Sequence, residues 1–439
     1  MSVRAPPAPW PKHLLWITGV VAALACNVRG SDVARADPKR APAQTMQSTK
    51  DTTPPPRIAV AVEQDLAEPP AAAEPAQVTR MVVSDALAAD FKAIERTTYE
   101  GEEIDALFTT LRAGSLPFCQ HKHKLAEDDP EAGRAFLEAY DAYRKADLGT
   151  KLTIIAGCWN FIRMNDRQPH RPFELVGWLY PDKRHDCYTV GVVQAYLMQE
   201  RLSCRSLTMI DFDWQVQYVH HQLLERWDAG ELGQDKLDSS IAGMTVDWIA
   251  FHSPQAEHKV TMATFCHPGI DKLCRATFAA LDERRADDKR SLERITLNLS
   301  GLHDMTLDDV TAEGVPVIYL SNATEKHFMT REEFDAMISR LEAALELGQH
   351  AAFVTHVAGK VDFAIYDLER LAEGSKLTTR CRDAHWGELK SNGEPYETWF
   401  EKVVKDGKET IPTCQSSWVR NRREQRKAAA AAEAAQAAE

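Results

Sequence analysis

The stretch VIYLSNATEKHFMTREEFDAMISRLEAALELGQHAAFVTH, residues 317–356, decides the fold. It continues an apolar run, Val315 to Leu320, of strand length. Thr330 and Glu333 stand at the spacing of a capping box, in which each side chain satisfies a free backbone N–H at a helix start. Phe334, Met337, Ile338, Leu341 and Leu345 then recur at helical spacing, which predicts a helix with one buried stripe. Gly348 stops it, and His350 to His356 (HAAFVTH) reads as a second strand. Strand, helix, strand with no hairpin turn predicts parallel strands joined by a right-handed crossover.

Upstream the alternation continues. Leu207 to Ile210 reads as a strand ending in Asp211-Phe212-Asp213, followed by a helix at about 214–228. Leu152 to Ala156 and Ile295 to Leu299 read as further strands, and 188–202 as a helix. The region 229–290 is irregular at first, then helical and charged. Helical patterns at about 83–97, 102–112 and 130–146 come earlier, the third opened by Asp129 as N-cap with Pro130 at its first position. The expected fold is α/β: a Rossmann-like parallel sheet flanked by helices, with an N-terminal helical extension.

The first 26 residues carry a different message. Arg4, Lys12 and His13 form a basic head, Leu14 to Ala25 is an apolar run of twelve, and Cys26 follows. Such a segment reads as an export signal. Twelve helical residues reach about 18 Å, short of a hydrocarbon core of roughly 30 Å. Ala23-Leu24-Ala25-Cys26 resembles a bacterial lipobox, which implies lipidation of Cys26 and a membrane partner. Residues 27–79 contain no Phe, Trp or Tyr and include Pro54-Pro55-Pro56 and Pro69-Pro70. They cannot bury enough apolar surface to order themselves, and are expected to be a disordered tether spanning about 40 Å. The globular domain is expected at 80–417 (helical lead-in 80–148), with a basic, alanine-rich helix at 418–439.

With Cys26 set aside, eight cysteines remain: Cys119, Cys158, Cys187, Cys204, Cys266, Cys274, Cys381 and Cys414. In an exported chain an even set is a candidate disulfide framework, with on the order of 100 pairings. Cys266 and Cys274 are close enough to close a small loop, and Cys381 with Cys414 would staple the C-terminal segment. A net charge of -13 argues against a nucleic-acid partner. Arg420, Arg422, Arg423, Arg426 and Lys427 form the one basic patch, read as a solvated helix or as a contact for anionic headgroups. His121 and His123 lack a second ligand cluster, and His220 and His221, being adjacent on a helix, diverge, so no metal site is expected. Neither GxSxG, a P-loop nor HExxH occurs.

Ligands of open parallel sheets bind beyond the carboxyl ends of the strands. There this sequence places Gly157-Cys158-Trp159-Asn160, Asp211 and Asp213, His303-Asp304, Ser321-Asn322 and His356. In this order of elements, over about 150–366, the chain resembles the class I S-adenosylmethionine-dependent methyltransferases. The resemblance implies that Gly157 lies in the cofactor loop after the first strand. It puts Asp211 on the ribose hydroxyls, Asp304 near the adenine amino group, and Ser321 and Asn322 near the methionine end. The first loop carries one glycine where the family has two or three. Export would also remove the chain from the cytoplasmic pool of methyl donor.

The expected function is therefore that of a lipid-anchored cell-envelope protein. Its methyltransferase-like domain would serve as a binding or scaffold module for a small-molecule ligand. The alternative is an active methyltransferase in the cytoplasm or at the inner membrane, with S-adenosylmethionine as cofactor; a secreted hydrolase using the same acidic rim is a third reading.

Overall fold

The computed structural model describes residues 162–246, 260–299, 313–324, 329–357, 359–383 and 411–438. It also describes the isolated positions 89, 96–98, 106, 108–109, 112–113, 138, 154, 310, 390–391 and 394–395. The strands of the main sheet are β1 (Arg96–Thr98), β2 (Arg184–Thr189), β3 (Ser206–Ile210), β4 (Arg294–Asn298), β5 (Gly314–Ser321), β6 (His350–His356), β7 (Phe363–Leu371) and β8 (Gly374–Arg382). Among them lie helices α1 (His170–Leu179), α2 (Val192–Leu202), α3 (Trp214–Ala229), α4 (Leu237–Ala242), α5 (Met262–Phe265), α6 (Asp271–Glu283), α7 (Arg285–Ser291) and α8 (Arg331–Ala344), and α9 (Cys414–Ala438) closes the chain.

The eight strands form one sheet in the order β1-β4-β3-β2-β5-β6-β7-β8. The five from β4 to β6 are parallel, while β1, β7 and β8 each run antiparallel to their neighbours. Counted along the chain, the parallel strands stand in the order 3-2-1-4-5, the order of a doubly wound sheet as far as its fifth strand. The direction of winding reverses between β2 and β5. The fold class expected from sequence is the one observed.

Strand periodicity sorts the core onto two faces. Val315, Val317 and Tyr319 of β5 join α1, α2, α3 and α6 on one side, whereas Ile318 and Leu320 meet Phe334, Met337, Ile338 and Leu341 of α8 on the other. Helix α8 starts where its capping box puts it, with Thr330 and Glu333 each bonded to the other's backbone N–H. Asp213 caps α3 by accepting from Gln215 N–H at 2.9 Å, and Gly230 ends it at φ 68°.

Several expectations change. Ile154, expected in a strand at 152–156, is helical. The first parallel strand is instead β2, whose Thr189 continues through Val190-Gly191 into α2, so the helix expected at 188–202 begins only at Val192. Strand β2 begins Arg-His-Asp, and its polarity hid it. Asp186 is buried because Arg205 and Ser206 bond it, Arg205 Nε at 2.9 Å and Ser206 Oγ at 3.1 Å. Arg96–Thr98 extends the sheet rather than a helix. The hairpin β7–β8 and helix α1 were not foreseen, and α9 starts at Cys414 rather than 418.

Three disulfides brace this framework: Cys187–Cys204, Cys266–Cys274 and Cys381–Cys414. The last two are the pairs that spacing suggested. The expected signal, the tether, Cys26, Cys119 and Cys158 lie outside the described residues, as do His121 and His123.

Candidate functional site

The reversal between β2 and β5 is where an open α/β sheet offers a crevice. Backbone pairing persists to its edge, because Val190 N–H donates to Tyr319 O at 3.3 Å. Two groups of polar side chains flank this point, and α2 stands between them.

The first group centres on Asp166. The segment carrying it crosses the ends of β5 and β6, held by Arg167 N–H on Lys360 O (3.0 Å), Gly359 N–H on Asn165 O (3.1 Å) and Met164 N–H on Phe265 O (2.7 Å). Asp166 Oδ2 accepts from Tyr319 Oη at 2.6 Å, Ser321 Oγ at 3.0 Å and Gln194 Nε2 at 3.2 Å. His356 Nδ1 stands 3.3 Å from Oδ1, and both side chains are fully buried. Burial pushes the Asp166 carboxyl up, but the charge of His356, with hydrogen bonds from His356, Tyr319 and Gln194, outweighs it and holds the pKa below the ordinary value. Burial likewise disfavours the His356 cation, yet Asp166 and the carbonyls of Val357 and Arg167 raise its pKa. Both shifts run toward the charged forms, and the charged pair is internally neutral. Ser321 pays for its place in strain: it has φ 46° at the irregular end of β5, a conformation uncommon for a residue with a Cβ. Such strain clusters at functional sites.

The second group lies at the ends of β2 and β3. Asp211 follows β3, and its Oδ1 accepts from Asp213 N–H at 2.9 Å. Burial raises its pKa to about 7, against hydrogen bonds from the backbones of Asp213, Gly191 and Phe212. Burial outweighs these hydrogen bonds. The Gly191 backbone also faces His220, whose imidazole burial keeps neutral, with a pKa of about 3. Gly191 has φ 78° and supplies no side-chain cap to α2. A Cβ there would meet Gln194 Oε1 at 2.7 Å. Gln194 thus touches both groups: its amide nitrogen holds Asp166 and its oxygen lies against Gly191.

Of the residues predicted from sequence, Asp211 stands where the second parallel strand ends, beside the glycine that follows the first. Ser321 and His356 come together through Asp166, and Asn322 Oδ1 lies 3.3 Å from Ser321 Oγ. Gly157 and Asp304 lie outside the described residues, and the loop after the first parallel strand is Val190-Gly191. Sequence reading missed Asp166, Gln194 and Tyr319. Asp166 sits in the polar run RMNDRQ, which gives no local sign of burial.

Chemically, Asp166 is committed to its own neighbours. Asp211 is an acid poised near neutrality beside a neutral imidazole, able to accept hydrogen bonds from hydroxyl or ammonium groups. No family model matches the chain, and no curated protein matches it significantly.

Proposed function

We propose that this is an exported, lipid-anchored cell-envelope protein. Its Rossmann-like domain binds a small ligand rich in hydrogen-bond donors at the ends of β2 and β3, and does not transfer a methyl group. The observation that carries the reading is the disulfide Cys187–Cys204, which ties the central strand β2 to the segment leading into β3. Both its cysteines are fully buried. Disulfides persist in oxidising compartments and are rare in the cytosol, so three of them support export. The leader and lipobox of residues 1–26 point the same way.

S-adenosylmethionine fits this site poorly. Asp211 offers an acceptor for its ribose. Ser321, expected at the methionine end, is turned onto Asp166, and the two-residue turn Val190-Gly191 carries one glycine. The second reading, an active methyltransferase at the inner face of the membrane, rests on the placement of Asp211 beside Gly191.

Two measurements separate the readings. The purified chain is alkylated in denaturant before and after reduction. Export predicts that the six cysteines of the three bridges react only after reduction, and six free thiols at the outset would overturn it. Calorimetry with S-adenosylmethionine is expected to show no heat at millimolar ligand. Micromolar binding abolished by Asp211→Ala would favour the methyltransferase instead.

A further inference from the structure

Among the described residues, the contacts that fix helix α9 to the domain lie at its N-terminal end. Cys414 is bonded to Cys381, and Gln415 N–H donates to Asp383 Oδ1 at 3.1 Å. One turn on, Trp418 Nε1 donates to Glu174 Oε2 of α1 at 2.6 Å, with the Arg171 guanidinium 4.6 Å from the indole centroid. Arg422 stacks on the same ring from within α9, at 5.8 Å. These contacts set the rotation of the helix about its axis.

That rotation decides where the charge goes. Between residues 420 and 427 stand five cations and one carboxylate, Glu424, in a chain whose net charge is -13. At about 100° per residue, Arg420, Arg423 and Lys427 fall roughly 140–180° around the helix from Trp418. All three are exposed. With Ser416 and Glu424 they line a groove of about 440 Å³ on the side away from α1. Arg422 and Arg426 lie nearer the docked side, at about 40° and 80° from Trp418, so three of the five cations face outward. A rigidly oriented basic stripe opposite the docked face is suited to an extended anionic surface.

We infer that this face of α9 docks on anionic phospholipid headgroups and forms a second membrane contact besides the lipid anchor. The inference rests on the anchoring reading for its setting, and on charge complementarity for its partner. Each Lys or Arg at an anionic surface adds about 1 kcal/mol, or roughly fivefold in affinity.

The test is sedimentation of the chain from residue 27 onward, so that neither an acyl chain nor the basic, apolar leader contributes. The vesicles are phosphatidylcholine with and without phosphatidylglycerol, at low ionic strength. The chain is expected to prefer the anionic vesicles by about 100-fold, and Arg420→Gln/Arg423→Gln/Lys427→Gln to lose most of that preference. Glu424→Lys is expected to increase it about tenfold or more, and high salt to abolish it. Equal binding to both vesicles, no binding to either, or a preference that survives in the triple variant would each overturn the inference. Incorporation of a palmitate analogue at Cys26 in the parent chain reports on anchoring separately, so either idea can fail alone.

Discussion

Replacing Asp166 with alanine removes one carboxylate from four partners at once. Tyr319 Oη, Ser321 Oγ and Gln194 Nε2 lose their common acceptor, and His356 loses its counter-charge. Were this pair exposed, the loss would be about 0–1 kcal/mol. Both side chains are fully buried, so the relevant scale is that for breaking a buried pair, about 3–5 kcal/mol. In urea unfolding, with a slope of roughly 3 kcal/mol per molar, the midpoint is expected to fall by about 1 M or more. Asp166→Asn keeps an oxygen for Tyr319 and Ser321 but no charge, and is expected to lose less. The pH dependence tells charge from packing. The folded pKa of Asp166 is depressed, so its contribution is present above the unfolded value near 3.8 and is lost as pH falls through the folded value. The folded pKa of His356 is raised, so its contribution is full below 6.5 and is lost as pH rises through the folded value. The gap between wild type and Asp166→Ala should therefore be widest between about pH 4 and pH 6.5, and narrow on either side. A gap below 1 kcal/mol, or one that stays constant from pH 5 to pH 9, would refute the ion-pair assignment.

Further outcomes are expected at the neighbouring sites. Asp211 has a raised pKa, so folding is progressively disfavoured as pH rises from about 4 to about 7; Asp211→Asn should flatten that slope in stability measured across the range. The double variant Cys187→Ala/Cys204→Ala opens a loop of 17 residues and should lose about 3 kcal/mol in denaturant unfolding. Gly191→Ala forces a Cβ against Gln194 at a positive φ with extended ψ and should cost about 1–3 kcal/mol by thermal denaturation. An unchanged Tm would show that Gln194 yields freely.

Residues 330–356 could be read directly, because every signal there is local. A capping box needs partners three residues apart, and the stripe of α8 and the strand β6 need only regular spacing. Leu207 to Asp213 was legible for the same reason, and so was Asp211 as the acid that ends a strand. Local spacing also suggested the bridges Cys266–Cys274 and Cys381–Cys414, which lie 8 and 33 residues apart. Strand β2 was not legible: a run opening Arg-His-Asp is buried only because Arg205 and Ser206 come alongside from the next strand.

The sequence by itself determined strands β3, β5 and β6, helices α3 and α8, the cap of α8 and the acid at the end of β3, since each depends on residues a few positions away. Tertiary structure alone decided which polar groups are buried together. Asp166 meets Tyr319 and Ser321 across 153 and 155 residues of chain. On the opposite end of the sheet, Asp367 gathers Tyr180, His350 and Arg380 in the same manner. A buried charge is tolerated only where folding delivers its partners, and that delivery is a property of strand order, which no local pattern encodes.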